Sequence, residues 1–270
     1  MNHRSLRIRR SARRSGRLVT GAAATAAVAT LATGCGADGK VGASRPPAID
    51  LAKLPQATTF TTLRGLPLDI EPSTADAGTV VHPSATVPVS SEPGGPPVAA
   101  LPNRQLDGPT WVPVIDTRPG WRRVLLPSRP NGTTGWIPES AARLTTAHTP
   151  YAVRVRTKAR RLTITKSDRR IGSWTVAVGA TKTPTPTGRT FMLALLKPSR
   201  PTFSPLVLPV GSHSETLDTF GGGPGTVAFH GWNDASVFGK AVTHGCVRVP
   251  AAALAELAKV PLGTPVVVTE

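Results

Sequence analysis

Two cysteines occur in this 270-residue chain, Cys35 and Cys246. The second sits in the run Thr243-His244-Gly245-Cys246-Val247-Arg248, sixteen residues after His230-Gly231. A thiol attacks carbonyl carbon only as thiolate, so it needs a base or a positive neighbour. His230 closes the β-like run Thr226-Val227-Ala228-Phe229 and can fold back as that base. A third group must orient its ring, and Asp234 or the carbonyl of Gly231 is placed to do so. Gly245 lets backbone approach a substrate closely, and Arg248 adds a fixed positive charge. The run stands just ahead of a helix-favouring stretch, Ala251 to Lys259, with Pro250 at its first turn. Helix-start N–H groups and the N–H of Cys246 are then the expected oxyanion donors. The chemistry expected is acyl transfer through a thioester.

A thiol survives unpaired outside the cell only for a reason, and the start of the chain is an export signal. Seven arginines lie before residue 18, and Leu18 to Thr33 is apolar and rich in small residues. This is the anatomy of a signal peptide, expected over 1–34, and it is too short to span a membrane comfortably. Leu31-Ala32-Thr33-Gly34-Cys35 resembles a bacterial lipobox, with Leu31 one place early. It implies lipidation of Cys35 and a membrane anchor. Cys246 then has no disulfide partner, and catalysis accounts for its presence.

Net charge is +17; without the seven leading arginines, 25 of the 32 basic residues face 15 acidic ones. A basic surface suits an anionic partner. With 4% aromatics and no nucleic-acid motif, a nucleic-acid partner is not expected. The 28 prolines and 26 glycines exclude a helical bundle.

Residues 35–109 are rich in Pro, Ala, Ser, Thr and Gly without sustained periodicity, which reads as a largely disordered tether. From 110 to 148 the runs at Trp111, Trp121 and Trp136, parted by Arg118-Pro119-Gly120 and Pro130-Asn131-Gly132, read as short strands. They resemble an SH3-like β module, either binding wall polymer or propping up the next domain. Residues 149–270 open with a meander: Tyr151–Val155, Arg161–Thr165, then Ile171–Val178. A loop follows at Thr183–Gly188, then strands from Arg189 and Thr226, the helix, and a last strand at Thr264–Thr269. The fold class is mostly β with one or two short helices.

His230, Thr243-His244-Gly245-Cys246 and Arg248 resemble the signature of the L,D-transpeptidases with a YkuD-type catalytic domain. The likeness extends to Ala177-Val178-Gly179, Thr185-Pro186-Thr187-Gly188 and Pro261-Leu262-Gly263-Thr264. Pro127 to Trp136 resembles the preceding module of actinobacterial members. The resemblance implies a β-sandwich-like domain in which Cys246 is nucleophile, His230 base and Gly231 the orienting carbonyl. Thr243, His244, Gly245 and Arg248 shape the pocket. Trp232 departs from the small polar residue often found after His-Gly. The implied substrates are peptidoglycan stem peptides joined 3→3, with no cofactor, and carbapenem-type β-lactams acylating the same thiol. Hydrolysis by an L,D-carboxypeptidase, a zinc site built on the two His and Cys, and a non-catalytic wall-binding lipoprotein are the competing readings. The export signal and lipobox place the protein on the outer face of the cytoplasmic membrane or in the wall, anchored by lipid.

Overall fold

The computed structural model describes residues 49–73, 78–200 and 202–270. The signal segment and Cys35 lie outside the described residues. Ala48–Glu270 forms one compact unit, mostly β with a single α-helix among the described residues.

Its N-terminal part is built from β1 (Thr79–Pro83), β2 (Val87–Ser90), β3 (Pro97–Leu101), β4 (Arg104–Gln105), β5 (Gly108–Pro109), β6 (Val112–Arg118), β7 (Trp121–Leu125), β8 (Thr134–Pro138) and β9 (Leu144–His148). Seven of these form an antiparallel sheet in the order β3-β2-β8-β7-β6-β1-β9. The runs expected at Trp111, Trp121 and Trp136 fall in or beside β6, β7 and β8. The tether expected over 35–109 is corrected where it is described: five strands, β1 to β5, and an extended segment, 55–69, belong to the N-terminal part.

The reason is legible at Pro88, in the middle of β2. Its register partner Ala100 spends its N–H on Pro55 and its carbonyl on Ala57. Pro88 therefore occupies a position where no ladder bond to β3 is needed. Ala57, Val87, Val89, Ala99 and Leu101 meanwhile fill a core with Val124, Leu125 and Ile137. Composition hid the strands because their prolines sit where a missing N–H does no harm.

The C-terminal part comprises β10 (Tyr151–Arg156), β11 (Arg161–Lys166), β12 (Arg169–Thr175), β13 (Val178–Gly179), β14 (Gly188–Phe191), β15 (Val207–His213), β16 (Thr226–His230), β17 (Ala241–Thr243), β18 (Val247–Arg248), α1 (Ala251–Leu257) and β19 (Pro265–Thr269). The meander is present: β10, β11 and β12 run antiparallel. They continue through β19 and β14 into a five-stranded sheet, in which β10 and β19 are parallel. A second sheet, β15-β16-β18, faces it across a core of Val153, Leu162, Ile164, Leu208, Phe229, Val247 and Leu254. β15 was not anticipated from the sequence.

One short stretch joins the two parts. Phe191 and Leu193 enter the N-terminal core while Met192, between them, enters the C-terminal one. Alternation along an extended chain makes this possible. Beside it Arg189 holds Asp69 through two hydrogen bonds of 2.8 and 2.7 Å, both side chains largely buried.

Candidate active site

The register of the smaller sheet assembles the site. β16 and β18 are parallel neighbours, with Phe229 opposite Val247 and His230 opposite Arg248. The odd-numbered residues Val227, Phe229, Val247 and Val249 point into the core. Ala228, His230, Cys246 and Arg248 therefore share the other face. Cys246, one residue before β18, lies diagonally across from His230. This corrects the expected setting of Cys246: two strand residues and a loop separate it from α1, which begins at Ala251. Val247 and Val249 prefer the pleated, half-buried surface beside β16 to a helical turn. The helix start supplies no donors at Cys246.

His230 is buried, and its Nδ1 lies 2.8 Å from the carbonyl of Gly231. A carbonyl only accepts, so Nδ1 carries the proton and Nε2 keeps its lone pair. Gly231 in turn donates its N–H to Ser204 Oγ at 2.7 Å, and Ser204 donates to the Leu206 carbonyl at 2.6 Å. The orienting group is this carbonyl and not Asp234, whose exposed carboxylate caps the 3₁₀ turn Ala235–Val237 through Ser236. Burial holds the His230 pKa below its ordinary value of 6.5; the bond to Gly231 opposes this and the Arg248 charge adds to it. Burial likewise pushes the Cys246 thiol up, against a backbone hydrogen bond with Ala228 and the charge of Arg248. Both shifts favour the uncharged forms, thiol and imidazole.

The turn under Cys246 is fixed by threonines. Thr243 Oγ1 donates to the Cys246 carbonyl at 2.6 Å and accepts from Gly245 N–H at 3.1 Å. Thr185 Oγ1 donates to the Gly245 carbonyl and accepts from Gly179 N–H, both at 2.9 Å. Thr183 donates to the Thr243 carbonyl at 2.8 Å. Gly245 has φ +119°, a conformation L side chains rarely adopt. Its N–H and carbonyl are both engaged, so Gly245 shapes the turn and does not serve as an oxyanion donor; the Cys246 N–H remains as the candidate. A Cβ on Gly179 would lie 2.3 Å from the Thr183 carbonyl. The sequence placed a loop at Thr183–Gly188 but tied it and Gly179 to the site only through the family resemblance. Nothing in it signalled Ser204.

Aromatic groups rim the site. The Arg248 guanidinium lies 3.5 Å over the Trp232 ring, and Phe203 packs edge-on against His230 at 4.8 Å. Exposed His244 stacks on Phe220 at 4.9 Å. Next to His230, Phe203, Leu206, Trp232, Val249 and Leu254 line an apolar cavity of about 340 Å³. Among the described residues no group of three or more His, Cys, Asp or Glu side chains is arranged to hold a metal ion.

Residues 150–268 match the family model of YkuD, the L,D-transpeptidase catalytic domain. This segment is thus similar to an L,D-transpeptidase catalytic domain. The matched segment contains β10 to β19 up to Val268, and with them His230, Cys246 and the threonine loop. Among solved structures it is similar to an L,D-transpeptidase from Mycobacterium smegmatis, 17% identical over 59% of this chain and 82% of that one, TM-score 0.39. It is also similar to the catalytic domain of the E. faecium L,D-transpeptidase, 22% identical over 43% and 94%, TM-score 0.32. A third is L,D-transpeptidase 3 from Mycobacterium tuberculosis bearing a faropenem-derived adduct, 15% identical over 52% and 74%, TM-score 0.38. A search of curated proteins found no match.

Proposed function

We propose that this L,D-transpeptidase domain crosslinks peptidoglycan stem peptides 3→3 through a thioester on Cys246. The observation carrying this reading is the face shared by Cys246, His230 and Arg248, with His230 Nε2 left free by the Nδ1 bond to Gly231. His230 takes the thiol proton as sulfur attacks the carbonyl of the third stem residue. The oxyanion that forms is held by the Cys246 N–H and favoured by the Arg248 charge. Collapse of the intermediate breaks the amide bond; the terminal D-alanine leaves as the amine, carrying the proton from His230. The side-chain amine of a diamino acid on a second stem then attacks the thioester, and the thiol regains its proton. No metal or organic cofactor enters either step.

A carbapenem offers the same thiol a strained amide carbonyl, and it acylates Cys246. We place the enzyme outside the cytoplasmic membrane, exported by the arginine-rich leader and anchored by lipid on Cys35. Incubation with a disaccharide tetrapeptide, followed by chromatography and mass spectrometry, tests the reaction. Dimers lacking one D-alanine are expected from the native protein and not from Cys246→Ala. Tripeptide without dimer would make the enzyme an L,D-carboxypeptidase instead.

A further inference from the structure

The loop between β15 and β16, Ser214 to Gly225, contains three consecutive glycines and places no side chain in either core. Gly221, Gly222 and Gly225 all have positive φ, at 59°, 82° and 70°. Such a segment loses much conformational freedom on ordering and has little of its own to offset that loss.

What fixes it comes from the N-terminal module. Arg129, in the β7–β8 connection, donates Nη1 to the Ser214 carbonyl at 2.8 Å. Its Nη2 donates to the carbonyls of Leu217 at 3.0 Å and Pro224 at 2.9 Å. One planar guanidinium thus grips the loop near both ends, with charge-assisted bonds. Gly225 packs tightly there: a Cβ would lie 2.5 Å from the Leu217 carbonyl and 3.1 Å from Arg129 Nη2. Asn131 exchanges two bonds of 2.8 Å with the His213 backbone, and Thr59 Oγ1 meets Thr226 Oγ1 at 2.6 Å. At the tip Phe220, itself pinned by paired bonds with Gly223, stacks on His244, two residues before Cys246.

We propose that Arg129 is a positioning residue for the acyl-transfer site, holding loop 214–225 so that Phe220 braces His244 and the turn that carries Cys246. This rests on the reading of Cys246 as nucleophile. It makes the N-terminal module part of the working site rather than a spacer.

The test uses the full chain with Arg129→Ala, Arg129→Lys, Phe220→Ala and the Arg129→Ala/Phe220→Ala double variant. Hydrogen exchange should quicken about tenfold or more across 214–225 in both Arg129 variants, with the 151–175 meander unchanged. Lysine fails because a single ammonium cannot span three carbonyls, and Arg129→Lys keeps the test alive if Arg129→Ala does not fold. Carbapenem acylation of Cys246 should slow roughly tenfold in Arg129→Ala. The double variant should be no slower than Arg129→Ala alone, since both remove one linkage. Iodoacetamide alkylation of Cys246, read on its own peptide, should change with the loop variants whatever the enzyme's substrate. Unaltered exchange in 214–225, or single effects that multiply in the double variant, would overturn the proposal. A native protein that carbapenem does not acylate defeats the nucleophile reading, while exchange and alkylation still judge the loop.

Discussion

At the residue scale, burial favours the uncharged forms of Cys246 and His230: it raises the thiol pKa and lowers that of the imidazole. The sign of the pH dependence follows. His230 is base only when unprotonated, so acylation falls as pH drops through its pKa, which lies below 6.5. Simple alkylation needs free thiolate, so it keeps rising into the alkaline range instead of reaching a plateau near neutrality. The acylation rate of Cys246 and its iodoacetamide rate, measured across pH, check both limbs. An alkylation plateau near pH 6 would show a preformed ion pair. The sequence singled out Cys246 and His230 as a pair, and the parallel pairing of β16 with β18 does bring the two segments together. The choice between Asp234 and the Gly231 carbonyl was not legible, since it depends on Asp234 being drawn off to cap its own turn.

Among elements, the threonine loop 183–185 supports the turn that carries Cys246. Thr185 Oγ1 bridges Gly179 and Gly245. Thr185→Val keeps the shape but leaves a buried N–H and a buried carbonyl unpaired, at a cost of about 2 kcal/mol or more. The expected outcome is a lower midpoint in denaturant and slower acylation, restored by Thr185→Ser. The sequence placed a loop here correctly and placed α1 and β19 within two residues of their ends. It missed the role of the loop because threonines in a Pro-rich run are ordinary turn formers. β1, β2 and β3 were hidden for the opposite reason: their prolines resemble a tether until the ladder shows which N–H groups the sheet needs.

For the whole molecule, the two parts are stitched by buried polar contacts as well as by Phe191 and Leu193. His213 is fully buried, with Nε2 2.7 Å from the Thr59 carbonyl, and burial lowers its pKa to about 4. Unfolded histidine titrates near 6.5. Between these values the unfolded chain binds the extra proton, so stability falls as pH drops from 6.5 toward 4, by ~3 kcal/mol in all. Denaturant midpoints at pH 7 and pH 4.5 should show this loss, and His213→Gln should flatten it. None of this can be read from the sequence, where nothing beside His213 points to residue 59.

The most direct measurement of the central claim is the intact mass of the reduced, purified protein after exposure to a carbapenem, with the modified peptide then sequenced. One adduct of the drug's mass on Cys246, absent from Cys246→Ala and strongly slowed in His230→Gln, is the predicted result. No adduct on the folded native protein, or an adduct that persists in Cys246→Ala, would contradict it.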